Sequence, residues 1–220
     1  MERPFALAVK CYGGFVLISD RPPGGVERTR LWPISTEAAA ISHGLLPTAH
    51  EVGQAVISNH GATEPIDTIF VRASDQLSQH CAQHAVNQPV GVIFAGFDAD
   101  RKQRLLGWYW NGNTFTTQDF SMGTFMQGVG NPIAQYLIAK LYSFDLSEEL
   151  TSRLALYALV QSRTLLPYPI DEFAEIGWLR SSVGLELISE AYIRERLDLV
   201  QKKSEELRLR CQEFLAKEQP

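Results

Sequence analysis

Residues 8–20 of this chain read Ala-Val-Lys-Cys-Tyr-Gly-Gly-Phe-Val-Leu-Ile-Ser-Asp. Two apolar runs flank the pair Gly13-Gly14, and a glycine pair between β-prone runs predicts a β-hairpin with a tight turn. The hairpin ends at Asp20. Residues 21–25 contain two prolines and two glycines, which suit the interior of neither a helix nor a strand. The chain is therefore predicted to open with an antiparallel pair of strands and a loop.

The order of the remaining elements predicts a layered α/β (α+β) fold. Strands are expected at 31–34, 38–41, 90–97, 105–110, 114–120 and over most of 176–189. Helices are expected at 47–59, 74–84, 131–142, 146–161 and 192–217, with Ser74 and Ser147 as N-caps of the second and fourth. Strands, two helices, strands, two helices, strands and a helix predict sheets between helical layers. We expect one domain over 1–190 and a C-terminal helix within 191–220.

Composition narrows the classes of function. The 220 residues are 45% hydrophobic with a net charge of -5, which is typical of a soluble globular chain and lacks the basic footprint of a nucleic-acid-binding protein. No stretch approaches the roughly 20 apolar residues of a membrane helix. Three cysteines without regular spacing suit a reducing compartment better than a disulfide framework. We therefore expect a cytoplasmic protein with no nucleic-acid or membrane partner.

Six short motifs, in order, resemble those of the proteasome-type N-terminal-nucleophile (Ntn) hydrolase family. They are the hairpin at 8–20, the strand at 30–34, the strand Gly-Val-Ile-Phe-Ala-Gly-Phe-Asp at 91–98, the hairpin ending in Phe115, Gly-Val-Gly-Asn-Pro-Ile-Ala at 128–134, and Leu-Ser-Glu-Glu-Leu at 146–150. Each motif is short, and their shared order and spacing make the resemblance specific. It covers roughly residues 5–190 and implies a four-layer αββα sandwich in which two helices cover each sheet.

The resemblance also implies where an active site would lie. The family uses an N-terminal threonine, or a serine or cysteine in relatives, together with an acidic residue, a lysine and a serine between two glycines. In this chain those positions fall at Pro4 or Phe5, at Asp20, at Arg30, and at Val129 between Gly128 and Gly130.

Three of the four implied positions lack the required chemistry. Pro4 and Phe5 have no hydroxyl or thiol, Arg30 stays protonated and cannot act as a base, and Val129 has no polar side-chain atom. Asp20 has the expected carboxylate, for which pairing with Arg30 or with backbone N–H groups is a sufficient role. We therefore predict a vestigial cleft of Asp20, Arg30, Gly128, Val129 and Gly130, with no catalytic residue and no cofactor.

Two histidines on one predicted helix face raise the question of a metal. His80 and His84 are four residues apart, which is a metal-ligand spacing on a helix. No acidic or cysteine partner lies at a recognised spacing, so the sequence favours a solvated helix face and predicts no metal.

Aromatic and apolar residues in two places suggest either internal packing or a contact between subunits. Trp108 and Trp110 lie on the predicted hairpin, where packing is the first interpretation and an interface the alternative. The C-terminal helix has a narrow apolar seam, which again suits docking on the domain or on a neighbouring subunit. The seam residues proposed for an interface are Ile193, Leu197, Val200, Leu207 and Phe214.

Three functional hypotheses follow from the sequence. The first is a catalytically inactive proteasome-like subunit that forms a homo-oligomer, such as a ring, or assembles with related subunits. The second is a divergent Ntn-type peptidase or amidohydrolase with a displaced nucleophile such as Cys11. The third is a sensor that binds a small, unidentified ligand in the vacant cleft.

Overall fold

The computed structural model describes residues 5–21, 29–44, 46–57, 63–120, 125–127, 132–143, 145–165 and 173–217. The strands are β1 (Ala6–Cys11), β2 (Gly14–Arg21), β3 (Leu31–Pro33), β4 (Ala38–Gly44), β5 (Val90–Phe97), β6 (Gln103–Trp110), β7 (Phe115–Asp119), β8 (Phe125–Gln127), β9 (Phe173–Arg180) and β10 (Gly184–Leu187). The helices are α1 (Leu46–Ile57), α2 (Ile66–Gln83), α3 (Pro132–Leu141), α4 (Glu148–Leu165) and α5 (Glu190–Lys217).

The strands form two five-stranded antiparallel sheets. The first sheet has the order β10-β9-β2-β1-β8 and the second has the order β3-β4-β5-β6-β7. The opening hairpin pairs Ala6 with Ser19 and Cys11 with Gly14, and Gly13 takes a positive φ of 87° in the turn. Glycine reaches this backbone region without steric cost, which explains the Gly-Gly signal in the sequence.

Side-chain alternation along β1 divides the interior into layers. Ala6 and Ala8 face the second sheet, whereas Leu7 and Val9 face the helices. The core between the sheets also receives Phe15, Ile41 and Ile93. A second core lies between the first sheet and helices α3, α4 and α5, and a third lies between the second sheet and helices α1 and α2. The predicted four-layer αββα sandwich with a long C-terminal helix is confirmed.

The start of α2 differs from its prediction. The helix begins at Ile66, eight residues before Ser74, which is buried in the helix interior and caps nothing. Pro65 is the N-cap residue, in an extended conformation and without a side-chain cap. The predicted N-cap is therefore wrong, because Ser74 lies within the helix and is buried by the packing of the helix on the domain. By contrast, Ser147 does cap α4, because its Oγ accepts a bond from the Leu150 N–H at 3.3 Å.

Helix α5 packs on the domain through its first turns. Ile193 and Leu197 are buried in the core that α4 and the first sheet share, and Val200 is partly buried against it. Leu207, on the continuation of the same seam, is 55% exposed. The proximal half of α5 is thus part of the domain core, whereas Leu207 in the distal half is exposed.

Candidate functional site

The start of β1 is held against the end of β2. Phe5 is buried among the residues that face the helices, and its carbonyl oxygen accepts a bond from the Asp20 N–H at 3.1 Å. An apolar ring therefore occupies one of the two positions that the family resemblance assigns to a nucleophile. The other position, Pro4, lies outside the described residues.

Asp20 and Arg30 come together as the sequence suggested. Arg30 Nε lies 3.9 Å from Asp20 Oδ1, and both side chains are only 3% exposed. Arg30 Nη1 also donates to the Gly44 carbonyl oxygen at 3.0 Å. The guanidinium is therefore held between the end of β2 and the end of β4, in an environment where its charge is largely shielded from water.

Glu175 is a site residue that the sequence analysis missed. Its carboxylate accepts bonds from the Ser19 hydroxyl at 2.9 Å, the Thr29 hydroxyl at 2.8 Å and the Arg30 backbone N–H at 2.5 Å. Glu175 lies on β9, which pairs with β2 so that Glu175 is opposite Ser19. The available signal was an acidic residue interrupting the apolar run 173–179, because a charge in a buried strand needs partners.

His43 adds a neutral group beside Arg30. It lies on β4 next to Gly44 and stacks against the Tyr109 ring, with the ring centroids 6.5 Å apart. Burial, assisted by the positive charge of Arg30, lowers the pKa of His43 to about 4. The ring is therefore uncharged at neutral pH, which suits a position so close to a guanidinium.

Gly128, Val129 and Gly130 lie outside the described residues. The strand before them, β8, pairs with β1, and its last residue Gln127 is opposite Leu7. The chain therefore approaches these residues next to the beginning of β1. Of the predicted vestigial cleft, the structure describes Asp20 and Arg30 and brings them together.

Cys11, the proposed displaced nucleophile, lies at the opposite end of β1. Its side chain is fully buried, and burial, with a smaller contribution from Glu148, raises its pKa to about 12. A thiol with this pKa holds almost no thiolate at neutral pH, so it is a poor nucleophile. The geometry therefore does not favour Cys11 as a reacting group.

Both tryptophans pack inside the chain, which favours internal packing, the first interpretation of the sequence. Trp108 and Trp110 are 1% and 7% exposed and belong to the core under α1 and α2. Their indole N–H groups donate to Ser78 Oγ and to the Val86 carbonyl oxygen. These side chains have almost no surface left for a partner.

The apolar seam of α5 contains both buried and exposed residues. Ile193 and Leu197 are core residues, which corrects their assignment to an interface, and Val200 lies at the border of the core. Leu207 is exposed, and the side chain of Phe214 lies outside the described residues. Only the distal seam therefore remains a candidate contact surface.

His80 and His84 do lie together at the end of α2, with ring centroids 4.4 Å apart. Desolvation, with a smaller contribution from His84, lowers the pKa of His80. Within the described part of the chain, no group of three or more histidine, cysteine or acidic side chains is arranged to hold a metal ion. No helix of these residues is long and apolar enough to cross a membrane.

Comparisons with known proteins show the fold of this chain. No model of a known protein family matches it, and no curated protein matches it. Among solved structures it is similar to Anbu (ancestral beta-subunit) from Yersinia bercovieri, at a TM-score of 0.72 and 13% identity over 98% of each chain. It is also similar to an Anbu (Gly-1) mutant from Hyphomicrobium sp. strain MC1, at a TM-score of 0.67 and 16% identity over 93% of this chain and 96% of the other. The chain thus has a proteasome-like fold.

Proposed function

We propose that this chain is a catalytically inactive proteasome-like subunit that acts by assembling with copies of itself or with related subunits. The observation that carries the proposal is the buried Arg30. A guanidinium takes the position that the family resemblance gives to the lysine, and it is already bound by Asp20 and Gly44. Because a guanidinium does not lose its proton at any relevant pH, it cannot activate a nucleophile.

The positions around Arg30 support the same proposal. Phe5 is apolar and buried, and the hydroxyls of Ser19 and Thr29 donate to Glu175. These hydroxyls follow the first strand rather than preceding it, so neither could be an N-terminal nucleophile without loss of β1. The buried Cys11 thiol, with its raised pKa, gives the displaced-nucleophile alternative no support.

The distal half of α5 supports the assembly part of the proposal. Three leucines are exposed on it or just before it, namely Leu199, Leu207 and Leu209. A helix that exposes several leucines is a suitable element for contact with another subunit. The printed name of the Yersinia bercovieri protein, an ancestral beta-subunit, agrees with a subunit role for the fold.

The native mass tests the assembly. We expect light scattering after gel filtration to give a mass well above the 24.6 kDa of one chain. Leu207→Glu should lower that mass, because a carboxylate would be buried in the contact. Val71→Glu is the matched control, since Val71 is similarly exposed on α2 and lies in the other helical layer. A strictly monomeric wild-type chain would contradict the proposal.

Turnover of a fluorogenic peptide panel tests the inactivity. The wild-type chain should release no fluorophore above the rate of a heat-denatured sample. Arg30→Lys should also remain inactive, because it supplies an ammonium group but no hydroxyl at position 4 or 5. Saturable turnover by the wild type that survives further purification would instead favour the displaced-nucleophile hypothesis.

A further inference from the structure

His80, in the last turn of α2, and the C-cap residue His84 form a compact imidazole pair. Their ring centroids are 4.4 Å apart and the ring planes are inclined by 41°. Residues four apart lie on the same face of a helix, so the two rings share one side of α2. Cys81 between them is fully buried in the core, which separates it from the pair.

One nitrogen of the pair has no partner in its surroundings. His80 Nε2 is shielded from solvent and makes no hydrogen bond. A shielded polar atom without a partner is uncommon in folded proteins, and a bound water or ion is one of its ordinary explanations. The neighbouring ring, that of His84, is a second potential metal ligand.

The separation of the two rings agrees with a shared metal ion. Metal–nitrogen distances of about 2.0–2.1 Å and a ligand–metal–ligand angle of about 90–110° place two coordinated imidazole centroids about 4.5–5 Å apart. The observed 4.4 Å is slightly shorter than this range. A shared ion therefore requires the two rings to move slightly apart.

We propose that His80 and His84 chelate a divalent transition-metal ion of the zinc class. Imidazole is a preferred ligand of zinc, copper and nickel, and two imidazoles on one helix face leave the other coordination positions to water. Glu51 on α1 acts on His80 electrostatically and adds negative charge next to the site. With two protein ligands the ion exchanges with solvent, unlike the ion of a closed four-ligand structural site. This site is independent of the proposed subunit function.

Calorimetric titration of the untagged full-length chain with zinc chloride tests the site. The chain has five histidines, and His80→Gln, His84→Gln and the control His50→Gln each leave four. We expect wild type and His50→Gln to bind one ion with the same affinity. Replacement of either histidine of the pair should weaken zinc binding by about tenfold or more, because only one imidazole of the pair then remains to bind the ion.

Two results would contradict the proposed zinc site. One is equal zinc affinity in wild type and His84→Gln, and the other is no saturable binding by wild type up to millimolar zinc. His84 is exposed, so its replacement leaves the fold undisturbed even if the His80 variant does not fold. As a second readout, zinc should raise the thermal unfolding midpoint of wild type and His50→Gln but not of His84→Gln.

Discussion

The Glu175 carboxylate joins three parts of the chain at the end of the first sheet. Its oxygens receive the Ser19 hydroxyl from β2 and both the Thr29 hydroxyl and the Arg30 N–H from the segment before β3. Arg30 is in turn held by Asp20. These residues thus form a buried polar network, and such networks are costly to leave incomplete.

Glu175→Gln should therefore destabilise the fold. An amide keeps one acceptor oxygen but no charge, so the bonds that the carboxylate accepts become weaker, at a cost of about 1–2 kcal/mol. Urea unfolding followed by circular dichroism measures the change. Glu186→Gln is the control, because Glu186 forms an exposed ion pair with Arg180 that is worth less than about 1 kcal/mol. Equal effects of both changes would contradict the role given to Glu175.

His43 predicts a loss of stability at acidic pH. Its pKa is about 4 in the folded chain against an ordinary value of 6.5, so the unfolded chain binds the proton more readily. The neutral ring imposes no penalty above pH 6.5, and stability falls as the pH decreases from 6.5 to 4, by about 3 kcal/mol from this group.

The variant His43→Gln separates this effect from other acid effects. It removes the titrating ring, so its unfolding free energy should decrease less than that of wild type between pH 7 and pH 4. Parallel pH profiles for the two proteins would show that His43 does not contribute. An NMR titration should also show that His43 stays neutral at pH 5.

Cys11 predicts a chemically unreactive thiol. In Cys211→Ser the remaining thiols are Cys11 and Cys81, both buried, with pKa values raised by burial to about 12 and about 11. Iodoacetamide at pH 8 should label neither in the native state and both in denaturant, because the thiolate is the reacting form. Mass spectrometry counts the labels. Rapid labelling of Cys11 in the native protein would contradict this prediction and support the displaced-nucleophile hypothesis.

Among the elements, α5 has two halves with different roles. Ile193 and Leu197 fill the core beside α4, whereas the distal half carries mixed charges in ion pairs such as Lys203–Glu206 and Arg208–Glu205. Exposed pairs of this kind contribute little, so the distal half is maintained mainly by helix propensity and by whatever it contacts.

The two halves should respond differently to change. Truncation after residue 203 should cost less than about 1 kcal/mol of monomer stability, because it removes no buried core side chain of the described residues. Ile193→Ala should cost about 2–4 kcal/mol, since it leaves a cavity in the core. Urea unfolding of both, at concentrations where any oligomer has dissociated, provides the comparison. A larger loss on truncation would mean that the distal half is part of the fold.

Most helices and strands could be predicted because the sequence signals that define them lie within a few consecutive residues. The turn at Gly13, the apolar strand at 90–97 and the Ser147 cap were each visible in a few consecutive residues. The start of α2 and the three-residue strand β8 were missed, because tertiary packing sets the former and pairing with β1 sets the latter. Glu175 was missed for a related reason. Its partners are at least 145 residues away in sequence, and no local pattern indicates them.

Across the whole molecule, Glu37 links the two sheets at one end of the sandwich. It is buried between β3 and β4 and accepts bonds from Ser181 Oγ and Ser182 N, both at 3.0 Å, in the turn between β9 and β10. Arg101, from the turn between β5 and β6, donates to the same carboxylate at 3.1 Å. One side chain thereby fixes the first sheet against the second.

Glu37→Ala should weaken the whole sandwich. The change leaves the Ser182 N–H and the two serine hydroxyls without their acceptor, which costs about 1.5–3 kcal/mol. Asp100→Ala, in the same region, removes only an exposed ion pair with Lys102 and should cost less than about 0.5 kcal/mol. Thermal unfolding should therefore have a clearly lower midpoint for the Glu37 variant alone.

The distribution of tryptophans gives the molecule a built-in optical label for each half. Trp32, Trp108 and Trp110 lie in the core beneath α1 and α2, whereas Trp178 packs against the core shared with α4 and α5. The fluorescence of Trp178→Phe therefore originates entirely from the second-sheet half. In a chain that keeps only Trp178, the emission comes from the first-sheet half. Comparing the two emissions during denaturation would reveal whether both halves of the sandwich unfold together or one after the other.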